Sequence, residues 1–280
     1  MPEDIINKVV QYYNDYDEQA RLNRNLGEIE FIRTQIIIRR YLKSPPANVI
    51  DIGGATGRYS CWLAEAGYKV HLIDPVPRHV EQAKEASNAQ PRTPIASCTV
   101  GDARRLEFDD EVADAVLLLG PLYHLVDAQD RHRTLMEAFR VLKSGGFLFA
   151  AGISKFASTI DGLSSGYYLD PIFQEIMRGD LENGQHQNPS HNPAYFMDAY
   201  LHHPDLLKAE VAEAGFEIQG LFAIEGIIYM MKDFEKNWQS GEQREFLLDI
   251  IAKIEQEPSL IGASPHVMCV GRKLWKKGKK

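Results

Sequence analysis

The sequence predicts an α/β fold built on a doubly wound parallel sheet, and two observations indicate it. Short β-branched runs, typical of buried strands, alternate with helical patterns between residues 49 and 153. Glycine or an acidic residue follows each of the first four strands, as at Gly53 and Asp74. Because the carboxyl ends of parallel strands share one rim of the sheet, these residues should meet in one crevice.

Two helices should precede the first strand, and we assign residues 1–46 to an N-terminal helical lid. Prolines at positions 45 and 46 end the second helix, since proline lacks a backbone donor and disfavours helix before it. Residues 12–22 mix tyrosines with polar side chains. This mixture fits an amphipathic helix packed on the domain and a lid over an active site equally well. Tyr16 and Arg21 are the candidates in this segment for holding an acidic or polar substrate.

Residues 47–153 form the predicted ligand-binding core. Its five strands are expected near residues 49–52, 69–74, 95–100, 114–119 and 147–151. The helix between the last two should begin at Asp127, whose side chain can cap it, and end at residues 144–146, where glycines interrupt the pattern.

The remaining chain divides into an insertion and the end of the core. Residues 154–203 are too long for an ordinary connection and rich in aromatic residues, so we predict a helical cap over the crevice, or a segment with its own small core. Residues 204–280 should add a helix opened by Pro204, two final strands near 217–224 and 266–270, and a helix between them.

Composition narrows the class of protein. The chain has 280 residues, with 31 basic and 39 acidic side chains, for a net charge of −8. This balance disfavours binding along a nucleic-acid backbone. Three widely spaced cysteines predict neither a disulfide framework nor a metal site. We see no signal peptide and no bilayer-spanning run, and expect a soluble cytoplasmic protein without a membrane partner.

The glycine-rich loop at residues 53–58 indicates which class of nucleotide-like ligand can bind. A dinucleotide loop requires glycine where this chain has Arg58, and a phosphate-binding P-loop requires a lysine followed by serine or threonine. The loop suits a nucleotide-like ligand that has no pyrophosphate. A nicotinamide cofactor is the more distant alternative.

These residues resemble the class I S-adenosylmethionine-dependent methyltransferases over residues 49 to 153. The resemblance rests on the glycine loop after Asp51, on Asp74, on the Gly101–Asp102–Ala103 turn and on the strand entering Leu119–Gly120. It implies a seven-stranded, mostly parallel sheet whose seventh strand is antiparallel. It also implies that the cofactor is S-adenosyl-L-methionine, that the product is S-adenosyl-L-homocysteine, and that no metal takes part.

The resemblance assigns a role to each part of the crevice. Residues 53–57 would pack against the methionine moiety, and Asp51 would order the loop. Asp74 would bind both ribose hydroxyls, and Asp102 would face the adenine amino group. The cofactor-binding residues implied are Asp51, Gly53, Gly54, Ala55, Thr56, Gly57, Asp74, Pro75, Asp102, Ala103, Leu119 and Gly120.

Methyl transfer to a hydroxyl or a protonated amine also requires a base, and histidine has a suitable pKa. His124 follows the fourth strand beside the donor site, so it is either this base or a packing residue. We predict a methyltransferase acting on an oxygen or nitrogen of a small molecule. An RNA or protein methyltransferase, or a non-catalytic cofactor-binding regulator, remains the alternative.

Overall fold

The computed structural model describes residues 5–15, 25–232 and 234–275. Two helices, α1 (Ile5–Asp15) and α2 (Asn25–Tyr41), precede the core. The core elements are β1 (Asn48–Ile52), α3 (Arg58–Glu65), β2 (Lys69–Asp74), α4 (Pro77–Asn88), β3 (Ser97–Val100), β4 (Ala113–Leu118), α5 (Pro121–His124), α6 (Ala128–Val141) and β5 (Leu142–Ile153). The insertion contains α7 (Ala157–Ser165), α8 (Pro171–Asn183), β6 (Gln185–His186) and β7 (Ala199–Tyr200). The chain continues through α9 (Pro204–Glu213), β8 (Glu217–Ala223), α10 (Phe234–Gln239), α11 (Gly241–Ile254), α12 (Pro258–Ile261) and β9 (His266–Arg272).

Seven strands form one sheet in the order β3-β2-β1-β4-β5-β9-β8. The first five are parallel, and β9 pairs antiparallel with both β5 and β8. The chain therefore winds outward from β1 in both directions, which places a crevice where β1 and β4 diverge. The predicted doubly wound, mostly parallel sheet is confirmed.

Both faces of the sheet are buried, which explains the uninterrupted apolar runs of its central strands. Ile50 and Val116 contribute to a core on one face. Their sequence neighbours Val49 and Ala115 contribute to a core on the other. Successive side chains of a strand point to opposite faces, so helices must cover both sides.

The start of β5 differs from the sequence prediction. Glycines 145 and 146 were expected to end the preceding helix, but α6 ends at Val141 and the strand begins at Leu142. Gly145 has φ +82°, and its N–H donates to the carbonyl of Lys273 at 2.7 Å. The glycines are therefore part of the strand, and partner-strand bonding overrides their tendency to break structure.

The insertion packs around a small core of its own, formed by Phe173, Ile176 and Tyr195. It contains helices, as predicted, and also a two-stranded antiparallel hairpin, β6–β7, which the helical prediction missed.

Helix α1 lies between the core and the insertion. Val9 and Tyr13 pack with Val76, which precedes α4, and with Met197 of the insertion. Within the described residues, no helix combines the length and apolar character that a bilayer crossing requires.

Candidate functional site

A cavity of about 1020 Å³, solvent at its mouth included, opens at the carboxyl ends of the first four strands. Ten of the predicted cofactor-binding residues line it: Asp51, Gly53, Gly54, Ala55, Asp74, Pro75, Asp102, Ala103, Leu119 and Gly120. The convergence expected from the strand order is therefore present, although binding by these residues stays a prediction.

Two residues of the predicted set do not line the cavity. Thr56 is buried, and Gly57 stands at the N-terminus of α3 with φ +85°. A Cβ at Gly57 would lie 3.1 Å from the Cβ of Ala83. We attribute to Gly57 the tight entry into the helix rather than ligand contact.

The first part of the glycine loop is fixed against the ends of β2 and β4. The N–H of Gly53 donates to the carbonyl of Ile73 at 2.7 Å, and its φ is +71°. An added Cβ would lie 2.7 Å from the ring of Pro121, so only glycine fits. This packing leaves the loop backbone as one wall of the cavity.

Asp51 carries its carboxyl group in an almost fully buried position. The hydroxyl of Ser60 donates to it at 2.7 Å. Burial raises the pKa of Asp51 to about 6; the bond from Ser60 opposes this rise, and the charge of Asp74 adds to it. A cationic ligand group beside Asp51 would favour its ionised form.

Asp74 holds the loop as well as lining the cavity. Its Oδ2 accepts the N–H of Ala55 at 2.9 Å, and its Oδ1 accepts the N–H of Val76 at 2.9 Å. Nδ1 of His79 lies 3.2 Å from Oδ1. A carboxylate offers about four lone-pair sites, so capacity remains at Oδ2 for one ligand hydroxyl, fewer than the two that the resemblance implies.

Asp102 is oriented by Arg104. The guanidinium donates to both carboxylate oxygens of Asp102. Nη2 and Nε donate to Oδ2 at 2.7 Å and 3.0 Å, and Nε also donates to Oδ1 at 3.1 Å. Arg104 also donates to Asp130 at 2.8 Å. These bonds raise the pKa of Arg104 further above its ordinary value, despite the opposing effect of its partial burial. The ion pair fixes one edge of the cavity.

His124 lines the same cavity and lies against helix α1. Its Nε2 is 3.0 Å from the hydroxyl oxygen of Tyr13, and both residues line the cavity with Tyr123. The ring of Tyr13 also packs edge-on against that of His79, at 5.0 Å between centroids. The sequence analysis predicted only His124 at this position, and the structure adds Tyr13 as its partner. Tyr16 and Arg21, the other predicted catalytic residues, lie outside the described residues.

A second polar group beside the cavity was missed by sequence reasoning. Glu30, which lines the cavity, brings a carboxylate oxygen within 4.8 Å of ligand atoms of Glu225 and His266. Glu225 is already held by protein donors, from Nδ1 of His266 at 2.6 Å and from Ser264 Oγ and the N–H of His266, each at 3.0 Å. Burial opposes its charge, but His266 outweighs burial and lowers the pKa of Glu225. These contacts favour a carboxylate–histidine pair over a metal centre.

Comparisons with known proteins match the part of the chain that forms this cavity. A family model described as "Methyltransferase domain" matches residues 50–150, the stretch that carries the glycine loop and the four strand ends. Residues 50–150, about a third of the chain, are therefore similar to a methyltransferase domain. The sheet order and the position of the crevice agree with this similarity.

Individual relatives match parts of the chain. An uncharacterised methyltransferase of Mycobacterium tuberculosis is 32% identical over 107 residues, which are 38% of this chain and 40% of the relative. The ubiquinone/menaquinone biosynthesis C-methyltransferase of a Ruegeria species is 26% identical over 62% of this chain and 67% of its own. A crystal structure of a methyltransferase from Methanosarcina mazei superposes with a TM-score of 0.58 at 20% identity, over 86% of this chain and 98% of that one. That likeness shows the fold.

The residues of the cavity fit the cofactor that the family implies. S-adenosylmethionine carries a positively charged sulfur and an ammonium group, and the cavity offers the carboxylates of Asp51, Asp74 and Asp102. The backbone at Gly53 and Gly54 lies against the cavity with no side chain in the way. The donor set thus has the charge and the open backbone that such a ligand needs.

Proposed function

We propose that this chain transfers the methyl group of S-adenosylmethionine to an oxygen or nitrogen atom of a small-molecule acceptor. The observation that carries the proposal is the Tyr13–His124 pair, which lies in the same cavity as the strand-end carboxylates. When bound, the cofactor supplies an electrophilic methyl group on a positively charged sulfur. The protein then has to hold the acceptor in line with it and accept a proton.

The carboxylates hold the cationic donor at the β1–β2 end of the cavity. Asp51 and Asp74 lie there, both almost fully buried, where charge interactions are stronger than in water. Helix α1 covers the cavity with Ile5, Ile6 and Val9. An apolar cover excludes water, which protects the donor and strengthens these charge interactions.

The Tyr13–His124 pair handles the acceptor proton. A tyrosine hydroxyl both donates and accepts, so Tyr13 can take the proton of an acceptor while passing its own to Nε2 of His124. The 3.0 Å separation is within the range for such a transfer. This role does not require His124 to touch the acceptor.

A carbon acceptor in a hydroquinone ring is the second candidate. It is favoured by the Ruegeria relative, which is named as a quinone-pathway C-methyltransferase and matches over 67% of its length. The apolar face that α1 presents to the cavity suits an aromatic acceptor of either kind.

Transfer of a radioactive methyl group from S-adenosylmethionine tests the proposal. The acceptor panel contains phenols, catechol, hydroquinones and aromatic primary amines, with total RNA and a protein mixture as further arms. Labelled small-molecule product methylated on oxygen or nitrogen, as located by NMR, supports the proposal, whereas methylation on carbon supports the second candidate instead. Label only in RNA or protein, or cofactor binding with no transfer in any arm, contradicts it.

A further inference from the structure

A buried histidine in the insertion faces two acceptors. Nδ1 of His186 lies 2.9 Å from a carboxylate oxygen of Asp180, and Nε2 lies 2.7 Å from the carbonyl oxygen of Tyr195. Neither oxygen can donate, so satisfying both contacts requires a proton on each ring nitrogen. His186 is 4% exposed and Asp180 fully buried. The arrangement is therefore an imidazolium–carboxylate pair inside the insertion.

The charges around this ring support its doubly protonated form. Asp180 belongs to α8, and Asp198 of the following loop also acts on the ring. Lys8 of α1 pairs with Asp198 at 3.4 Å, and Asp170 at the start of α8 accepts the hydroxyl of Tyr195 at 2.6 Å. Burial alone lowers the pKa of His186, but Asp180, the Tyr195 carbonyl and Asp198 outweigh it and raise the pKa above 6.5.

The carbonyl that His186 holds precedes a strained residue. Phe196 has φ +65° and ψ 174°, a backbone conformation that is essentially confined to glycine and is therefore strained in phenylalanine. Its own carbonyl accepts Nδ2 of the buried Asn188 at 2.5 Å. His186 and Asn188 thus hold the backbone on both sides of this residue, which keeps the strained conformation in place.

The ring of Phe196 reaches the candidate active site. Its centroid is 5.9 Å from that of His124 and 5.9 Å from that of Tyr12 on α1. It also lies 6.3 Å from the ring of His186. A continuous set of contacts therefore leads from the buried imidazolium to the Tyr13–His124 pair.

We propose that His186 is a positioning residue for His124, acting through the Tyr195–Phe196 turn. While both ring nitrogens are protonated, Phe196 is held against His124. When one proton leaves, either Asp180 or the Tyr195 carbonyl loses its donor, and the strained turn relaxes. This inference rests on the proposed function, because the position of His124 affects methyl transfer only if His124 belongs to the methyl-transfer site.

The protonation of His186 affects stability in a definite direction as the pH changes. A histidine with a raised pKa in the folded state contributes stability that is fully present below its unfolded pKa. That contribution is lost as the pH rises through the folded pKa. The insertion should therefore hold Phe196 most firmly below the ordinary pKa of histidine and release it as the pH rises through the raised pKa of His186.

NMR of the full-length protein labelled with ¹³C-histidine tests this without any acceptor. The His124 signal is assigned by its loss in His124→Asn and followed from about pH 5 to about pH 9, about two units on each side of neutral. In the wild type it should show a second inflection at the pH where the His186 signal titrates. In His186→Gln the second inflection should vanish, whereas the exposed-surface control His132→Asn should retain it.

Asp180→Asn provides the matched second variant, since it keeps the shape and removes the charge. It should move both inflections together to lower pH by about one unit or more. A His124 signal with no inflection at the pH of His186, or one that does not follow it in Asp180→Asn, overturns the inference. Calorimetry of the wild type with S-adenosylmethionine separates the two proposals, because absent cofactor binding removes the proposed function and leaves the coupling of the two histidines measurable.

Discussion

The hydroxyl oxygen of Tyr13 lies 3.0 Å from Nε2 of His124, although the two residues are 111 positions apart in the chain. Tyr13 belongs to the helix that covers the cavity, and His124 ends the short helix after β4. The contact joins the cover to the site beneath it. In the proposed mechanism, the helix that covers the cavity therefore also brings the Tyr13 hydroxyl to His124.

Removing either member of this pair should lower turnover more than cofactor affinity. General acid–base groups contribute about 10²–10⁴-fold, so we expect His124→Asn to lose about 10²-fold or more in kcat, and Tyr13→Phe a comparable factor. The rate is measured with the first acceptor that the transfer assay identifies, and affinity by calorimetry. His132→Asn on the exposed face of α6 is the control. Normal turnover in both variants would show that the pair only packs.

Helix α1 should become better protected when the cofactor binds. It lines the cavity with Ile5, Ile6, Val9 and Tyr13, so a ligand beneath it should suppress its local opening. Hydrogen exchange of the peptide covering residues 5–15 should slow with S-adenosylhomocysteine bound, whereas the interior strand β5 should exchange alike in both states. Equal exchange of α1 with and without ligand would argue against a lid.

Asp51→Asn should stabilise the cofactor-free protein in a pH-dependent way. The folded-state pKa of about 6, raised from 3.8, means that ionisation opposes folding as the pH rises through this interval. The asparagine keeps an acceptor for Ser60 and removes that cost, which is on the order of 3 kcal/mol above pH 6. The gain should vanish near pH 3.5, below both values.

Urea unfolding of the wild type and Asp51→Asn near pH 7.5 and pH 3.5 measures this difference. Asp249→Asn is a suitable control, because Asp249 is an exposed residue paired only with Lys253 across one helical turn. A gain of the same size at both pH values would mean that burial of charge is not its cause.

Asp74→Asn should weaken binding of S-adenosylmethionine by tenfold or more, through loss of a charge-assisted bond to the ligand. Asparagine retains one acceptor oxygen for the N–H of Ala55, so the glycine loop keeps its main support. Calorimetric titration compares this variant with Asp205→Asn, a change on the exposed first turn of α9. Unchanged affinity in Asp74→Asn would remove the residue from the ligand site.

Much of this site could be predicted because strand-end residues carry local signals. Gly53, Asp74 and Asp102 each follow an apolar run, and the parallel order of the strands then determines that they meet. The doubly wound, mostly parallel class of the sheet follows from the alternation of strands and helices. Residues that reach the cavity from elsewhere carry no such signal.

Sequence reasoning could not place three residues, Tyr13, Glu30 and His266. They come from α1, α2 and the start of β9. Tyr13 and Glu30 line the cavity and His266 lies near Glu30, in each case through packing between elements that are distant in sequence. The sequence around His186 likewise carries no signal that distinguishes it from other polar residues. Its role depends on the contacts with Asp180 and Tyr195 that the fold creates. Tertiary contacts, rather than local pattern, place such groups.

Calorimetric titration of the wild-type protein with S-adenosylmethionine and S-adenosylhomocysteine, with NADH as the control, tests the central claim most directly. The carboxylates at Asp51 and Asp74 and the exposed glycine backbone predict saturable binding of both adenosyl compounds at one site and no heat from NADH. Binding of NADH in preference to them, or no binding of either adenosyl compound, would contradict the account.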